Sequence, residues 1–119
     1  MKILIVDDSR TILMMIAYVL KQNGHEAITQ PTAEKAFSYL KDDSVDLIVT
    51  DINMPGLGGE ALINQVKSTP QLSHIPIIVC STSSDAQALE GKYFAWLNKP
   101  LQPEKLLQAI EKMTSTDTI

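Results

Sequence analysis

The strongest constraint on the fold is a repeated alternation between short apolar runs and amphipathic stretches. Three runs are nearly continuous and rich in β-branched residues: Ile3–Val6, Leu47–Val49 and Ile75–Cys80. Such runs are typical of strands that are covered on both faces. Two further runs, His25–Gln30 and Tyr93–Asn98, mix polar and apolar residues, as strands at sheet edges do. The sequence therefore predicts five strands, with the three apolar ones in the centre.

Helical patterns separate the predicted strands. The predicted helices are Ser9–Gln22, Ala33–Leu40, Gly59–Lys67, Ser84–Glu90 and Pro103–Met113. Five β-α units predict a parallel sheet with helices on both faces, and right-handed crossovers restrict its topology. Central apolar strands then favour the order 2-1-3-4-5, the α/β doubly wound flavodoxin-like (βα)5 arrangement. We expect one domain at residues 1–113, followed by a polar tail at 114–119.

Side chains that are capable of chemistry stand where four of the five strands end. Asp7 and Asp8 follow the first strand, Asp51 follows the third, Ser81 ends the fourth and Lys99 follows the fifth. Ligands of doubly wound sheets bind beyond the carboxyl ends of strands one and three. Each residue alone could be a helix cap, a turn residue or a surface charge. Those interpretations do not explain why all of them fall at one rim.

Three carboxylates at one rim repel one another unless a cation lies between them. Mg²⁺ prefers oxygen ligands and often combines a few carboxylates with waters and phosphate oxygens. The charges of Asp7, Asp8 and Asp51 sum to −3, which Mg²⁺ and Lys99 balance. A neutral site of this kind can take up a phosphoryl group on an aspartate, since phosphoryl transfer depends mainly on positioning and charge neutralisation.

The ordered motifs VDDS, TDINMPGLGG, IIVCS and KP resemble the receiver domain of response regulators in two-component signalling, particularly chemotaxis regulators. The resemblance extends over about residues 2–113, and the combination is specific although no single motif is. It implies a cytoplasmic phosphoprotein that uses Mg²⁺ and receives a phosphoryl group from a sensor histidine kinase or a histidine phosphotransfer protein. It also implies a conformational switch that signals to a partner or to an output domain. No enzymatic activity is implied beyond the chain's own phosphorylation and dephosphorylation.

The resemblance assigns roles to individual acidic residues. Asp51 is expected to be the phosphoacceptor. Asp7, Asp8 and Asp51 are expected to hold Mg²⁺, with Asp8 the more direct of the first two. The backbone carbonyl of Asn53 is expected to complete this metal site.

The resemblance also implies a set of switch residues. Lys99 is expected to contact a phosphoryl oxygen, and the Ser81 hydroxyl to turn towards it. Trp96 occupies the position of the family's switch aromatic, although it could equally be a partly exposed aromatic of an edge strand. The Lys99–Pro100 peptide bond is expected to be cis, as in the family.

Two departures from the family pattern affect the region after the fourth strand. Thr82 stands where the family usually has Ala or Gly, so we expect it to restrict access to Asp51. The segment from Ser81 to Lys99 is about one helical turn shorter than usual. We therefore expect the fourth helix, Ser84–Glu90, to be stunted or poorly ordered.

The first helix contains an unbroken apolar stretch from Ile12 to Leu20. A core-facing stripe can be drawn through Ile12, Met15, Ile16, Val19 and Leu20. The remaining apolar residues are then predicted to face outwards: Leu13, Met14, Ala17 and Tyr18. An exposed apolar patch often marks a partner surface, so we expect it to dock the histidine-bearing helices of the phosphodonor or a second copy, forming a homodimer. Tolerated surface apolar residues are the alternative.

Composition excludes several classes of protein. The 119 residues carry a net charge of −4 with a pI of about 5.0, which argues against a nucleic-acid surface. One cysteine rules out an internal disulfide. No apolar run approaches about 20 residues, and no signal peptide is evident, so we expect no membrane span and a cytoplasmic location.

Three rival functions remain to be weighed. A phosphatase with an Asp nucleophile usually needs a second Asp two residues later, where this chain has Asn53. A flavin- or nucleotide-binding module needs a phosphate-cradling loop after the first strand, where VDDSR places acids instead. A receiver-like interaction module that is never phosphorylated is disfavoured by the intact acidic set and Lys99.

Overall fold

The computed structural model describes residues 1–54, 56, 58–82 and 91–116. Within these residues the strands are β1 (Lys2–Val6), β2 (Glu26–Gln30), β3 (Leu47–Thr50), β4 (Ile77–Ser81) and β5 (Ala95–Asn98). The helices are α1 (Arg10–Gln22), α2 (Ala33–Asp42), α3 (Gly58–Ser68) and α4 (Pro103–Thr116). All strands pair in parallel in the order β2-β1-β3-β4-β5. The predicted flavodoxin-like fold is therefore confirmed.

Each central strand supplies side chains to two separate cores. Along β1, Leu4 and Val6 enter a core shared with α2 and α3, whereas Ile3 and Ile5 enter one shared with α1 and α4. The division follows from the two-residue period of a strand, which directs successive side chains to opposite faces. All four side chains are buried, and burying each contributes about 2 kcal/mol. The continuous apolar runs thus reflect helices on both faces of the sheet.

The sequence located most element boundaries to within a few residues. Ser9 and Thr32 cap α1 and α2, accepting hydrogen bonds from the N–H groups of Ile12 at 3.4 Å and Lys35 at 3.1 Å. β4 begins two residues later than predicted, after Pro76, which has no N–H to donate to a neighbouring strand.

The C-terminal half differs from prediction in two respects. β5 begins at Ala95 rather than Tyr93, and α4 continues to Thr116 instead of ending at Met113. The predicted domain end at residue 113 stays a prediction. The predicted helix Ser84–Glu90 lies outside the described residues.

None of the described helices has the length and apolar character needed to cross a membrane.

The predicted orientation of α1 is wrong for three residues. Leu13 and Ala17, expected to face outwards, are 8% and 9% exposed, whereas Met15, expected in the core, is 37% exposed. Met14 and Tyr18 are exposed at 64% and 66%, as predicted. The buried stripe is Leu13, Ile16, Ala17 and Leu20. An apolar run without polar residues fits more than one stripe, and packing on the sheet selects among them.

Candidate functional site

The acidic residues meet because β1 and β3 are neighbours. Val6 pairs with Thr50 in register, so Asp7 and Asp51 leave the sheet side by side, and the Asp51 N–H donates to the Val6 carbonyl at 3.0 Å. Asp7 and Asp51 are buried, whereas Asp8 is exposed. Carboxylate oxygens of the three residues lie within 4.8 Å of one another. The predicted cluster at the carboxyl end of the sheet is present.

Lys99 brings a positive charge to the cluster from the end of β5. Its Nζ lies 2.9 Å from Asp7 Oδ2 and 3.2 Å from Asp51 Oδ2. Its own N–H donates to the Ser81 carbonyl at 3.0 Å, and the Lys99–Pro100 peptide bond is cis as predicted. The Asp51 carboxylate, directly after β3, is thus paired inside the fold, which offsets its desolvation.

The two carboxylates determine the ionisation of Lys99. Burial alone lowers the pKa of its ammonium group, but the hydrogen bond and charge of Asp7, together with Asp51, outweigh this effect. The net result is a pKa above the ordinary lysine value. Lys99 therefore carries its charge throughout the physiological pH range.

Backbone N–H groups hold the second oxygen of each buried carboxylate. Asp7 Oδ1 accepts from the Ser9 N–H at 2.8 Å, and Asp51 Oδ1 accepts from those of Ile52 at 2.7 Å and Asn53 at 3.4 Å. In each carboxylate, one oxygen thus accepts hydrogen bonds from backbone N–H groups and the other lies beside Lys99 Nζ. These backbone donors were not predicted, because any residue type supplies an N–H group.

The start of α3 is fitted closely against the backbone of Asp51, directly after β3. A Cβ atom at Gly59 would overlap the Asp51 carbonyl oxygen, to which the Thr50 hydroxyl also donates at 2.9 Å. Gly58 has a φ of +73°, a conformation that favours glycine. The adjacent glycines in PGLGG were the available signal, although the sequence does not say which of them meets the strand.

The remaining predicted site residues lie at or near the same rim. Ser81 is fully buried at the end of β4, and Thr82 directly after it is exposed. Trp96 on β5 is half-buried and meets Tyr93 edge to face, with ring centroids 5.3 Å apart. Asn53 is exposed. The roles assigned to these four residues stay predictions.

The donor set fits the expected magnesium ion. Three carboxylates contribute −3 and Lys99 contributes +1, so the cluster has a net charge of −2, the charge that a divalent cation balances. Its donors are all oxygen atoms, which Mg²⁺ prefers. The exposed Asp8 carboxylate gives the cluster an open side.

Comparison with known proteins decides the family. The model of the response regulator receiver domain family matches residues 3–111. The chain belongs to this family. Its members are signalling domains of two-component systems that bind Mg²⁺ at an acidic pocket and interact with histidine kinases or phosphotransfer proteins.

Individual relatives differ greatly in length. The chain is 30% identical to a chemotaxis protein CheY homolog of Campylobacter jejuni, covering 98% of this receiver and 94% of the relative. It is 33% identical to a gliding motility regulatory protein of Myxococcus xanthus. That match covers 96% of this chain but only 15% of the much longer relative. The solved structure of chemotaxis response regulator CheY4 of Vibrio cholerae matches with a TM-score of 0.84 at 28% identity, over 93% of this chain and 96% of that one.

Proposed function

We propose that this receiver accepts a phosphoryl group on Asp51 from a phosphohistidine of a sensor histidine kinase or a histidine phosphotransfer protein, in a Mg²⁺-dependent reaction. The observation that carries the proposal is the placement of Lys99 Nζ between Asp7 and Asp51, with Asp8 beside them. A carboxylate oxygen of Asp51 forms a bond to phosphorus while the bond from phosphorus to the donor's imidazole nitrogen breaks. The nitrogen keeps the electron pair and takes up a proton.

Backbone and side-chain groups around Asp51 orient and neutralise the reacting groups. The N–H groups of Ile52 and Asn53 fix the acceptor carboxylate. The Lys99 ammonium already lies beside Asp51 Oδ2 and would pair with a phosphoryl oxygen once Asp51 is phosphorylated. Asp7, Asp8 and Asp51, with the Asn53 carbonyl, would hold Mg²⁺. When bound, this ion supplies further neutralisation of the phosphoryl oxygens.

The phosphorylated receiver would signal through its strand ends. Ser81 and Trp96 are proposed as switch residues, and Thr82 as a side chain that restricts access to Asp51. The chain would catalyse only its own phosphorylation and dephosphorylation, in the cytoplasm, and signal to a partner or to an output domain.

The exposed side of α1 is the proposed docking surface. Met14 and Tyr18 project from it, while Leu13 and Ala17 are buried beside them and line a groove. The occupant would be a helix of the phosphodonor or a second copy of the chain. If Met14→Glu plus Tyr18→Glu changes neither the phosphotransfer rate nor self-association, this part of the proposal fails.

Incubation with Mg²⁺ and acetyl phosphate, followed by intact-mass spectrometry, tests the acceptor. We expect one phosphoryl adduct that is lost in Asp51→Asn and that requires Mg²⁺. Asp46→Asn, which changes an exposed aspartate at the opposite, amino end of the parallel strands, is the matched control. An adduct that persists in Asp51→Asn, or no adduct at all, contradicts the proposal, and the second result would favour an unphosphorylated interaction module.

A further inference from the structure

The strand β2 is an open edge of the sheet. Among the described residues it pairs with β1 on one side, and no strand lies on its other side. The Glu26 N–H donates to a backbone carbonyl just before β1, and the Gln30 carbonyl accepts from a backbone N–H just after it. Because the backbone groups of successive residues alternate in direction, those of Ala27 and Thr29 point outwards. This edge therefore presents two N–H groups and two carbonyls for a further strand.

The strand lacks the features that usually protect a sheet edge. Edge strands are commonly blocked by lysines, by a proline or by a bulge. Glu26–Gln30 contains neither residue type, and its register with β1 is continuous. The helix α1 does not cover this edge, because a cavity of about 690 Å³ opens beside Ala27 and Thr29. A second strand can therefore approach β2.

One antiparallel register lets two copies of β2 satisfy each other. With Thr29 of one copy opposite Ala27 of the other, each of the four outward N–H groups meets an outward carbonyl. A shift of two residues in one direction brings in His25, whose N–H already donates to the Leu20 carbonyl. The opposite shift brings in Pro31, which has no N–H. The backbone alone thus selects a two-fold arrangement centred on residue 28.

The side chains suit the same register. It sets Ile28 against Ile28 of the second copy at the two-fold axis, and pairs of β-branched residues stabilise neighbouring strands. It sets Glu26 against Gln30, so no like charges meet across the junction. Because the axis is perpendicular to the sheet, both copies keep α1 on the same face. The exposed Met14 and Tyr18 of each copy then flank the joined strands.

We propose that β2 is a self-association edge, through which a second copy of this chain pairs antiparallel and joins two five-stranded sheets into one. The occupant is a second copy because the edge is complementary to itself, as a two-fold interface requires. Backbone hydrogen bonds supply the attraction, and the cross-strand pairs fix the register. The inference goes beyond the proposed function and does not depend on phosphorylation.

Disulfide trapping tests the register with the intact chain. Ile28→Cys places two thiols opposite each other, where the Cα atoms of a non-hydrogen-bonded pair lie about 4.5 Å apart, within the range of a disulfide. Glu26→Cys is the matched control, since its two copies would lie about 14 Å apart. The native Cys80 is buried and does not compete. Diamide, which oxidises paired thiols, should crosslink Ile28→Cys about tenfold faster than Glu26→Cys, as measured by non-reducing electrophoresis.

Charge substitutions test the same register outside the core. Gln30→Lys sets a lysine opposite Glu26 on both sides of the axis and should tighten the dimer about tenfold, whereas Gln30→Glu sets like charges there and should weaken it about tenfold. Sedimentation velocity over a range of concentrations measures the dissociation constant. Gln71→Lys and Gln71→Glu make the same changes in net charge at an exposed position between α3 and β4. Neither control should change the dissociation constant appreciably.

Several results would overturn the proposal. One is a chain that stays monomeric at every concentration, and another is equal crosslinking of the two cysteine variants. A third is a Gln30 substitution that acts no differently from its counterpart at Gln71. Crosslinking of Ile28→Cys is also repeated with Asp51→Asn, where an unchanged rate supports an edge that acts independently of the phosphoacceptor. Loss of crosslinking there would contradict this independence and overturn the inference.

Discussion

The carboxyl-end cluster and the outer side of α1 depart in opposite ways from the usual pattern of buried apolar and exposed charged side chains. The cluster buries charged groups, since Asp7 and Asp51 are 2% and 5% exposed. The outer side of α1 exposes apolar groups, with Met14 and Tyr18 both more than half exposed. The first departure is compensated within the fold by Lys99 and backbone N–H groups. The second has no compensation among the described residues, and it lies on the side of α1 that we propose as a docking surface.

The largest expected effect comes from removing the compensation at the cluster. Lys99→Met leaves two buried carboxylates without their cation, so the free energy of unfolding should fall by about 3 kcal/mol without divalent cations. Urea unfolding measures the loss, and Lys105→Met, at an exposed lysine of α4, is the control. Adding Asp51→Asn should restore part of the stability. A change below about 0.5 kcal/mol would show that the cluster needs no internal cation.

A second test adds bulk against the backbone of Asp51. Gly59→Ala should lower the free energy of unfolding by about 2 kcal/mol, because the new methyl group overlaps the Asp51 carbonyl. Phosphorylation by acetyl phosphate should slow as the acceptor shifts. Glu60→Ala, at the exposed next position, should change neither measurement. Equal effects of the two substitutions would contradict a close fit at Gly59.

The titration of Cys80 tests whether water reaches the core beside the cluster. Burial is the largest influence on this thiol and raises its pKa to about 12, against an ordinary value of 9.0. Above pH 9 the unfolded chain loses this proton while the folded chain keeps it, so stability falls as pH rises. Compared with Cys80→Ala, wild type should lose about 1 kcal/mol more between pH 8 and pH 10. Parallel pH profiles would indicate that water reaches the thiol.

A smaller effect is expected at the entrance to the cluster. Thr82 is exposed next to Ser81, and Thr82→Ala should speed phosphoryl exchange about threefold, which corresponds to less than 1 kcal/mol of barrier. The decay of the adduct, followed by mass spectrometry, measures the rate. Thr29→Ala, at an exposed threonine of β2, is the control. Equal or faster decay in wild type refutes the restriction.

The smallest effect on stability is expected at the outer side of α1. Met14→Glu plus Tyr18→Glu should change the free energy of unfolding by no more than about 0.5 kcal/mol, because neither side chain is in the core. Leu13→Glu plus Ala17→Glu would instead bury two charges and should prevent stable folding. Thermal unfolding distinguishes the pairs. A large loss from the outer pair would mean that these residues stabilise the fold itself.

The sequence predicted the site better than it predicted the surface of α1. Strand ends are identified by abrupt changes from apolar to charged residues, and parallel topology then places Asp7, Asp8, Asp51 and Lys99 together. The orientation of α1 was not predictable in this way, because nine consecutive apolar residues contain no polar marker of the outer face. The contact between Gly59 and Asp51 depends on interatomic fit, which composition does not encode.

Lys99 also joins strands that are not neighbours. It extends from the end of β5 to residues that follow β1 and β3, with β4 lying between β5 and β3. Any reaction that alters the charge on Asp51 therefore changes the force on the end of β5 directly. The outer edge of the sheet is thereby connected to Asp51 through an ion pair that does not belong to either core.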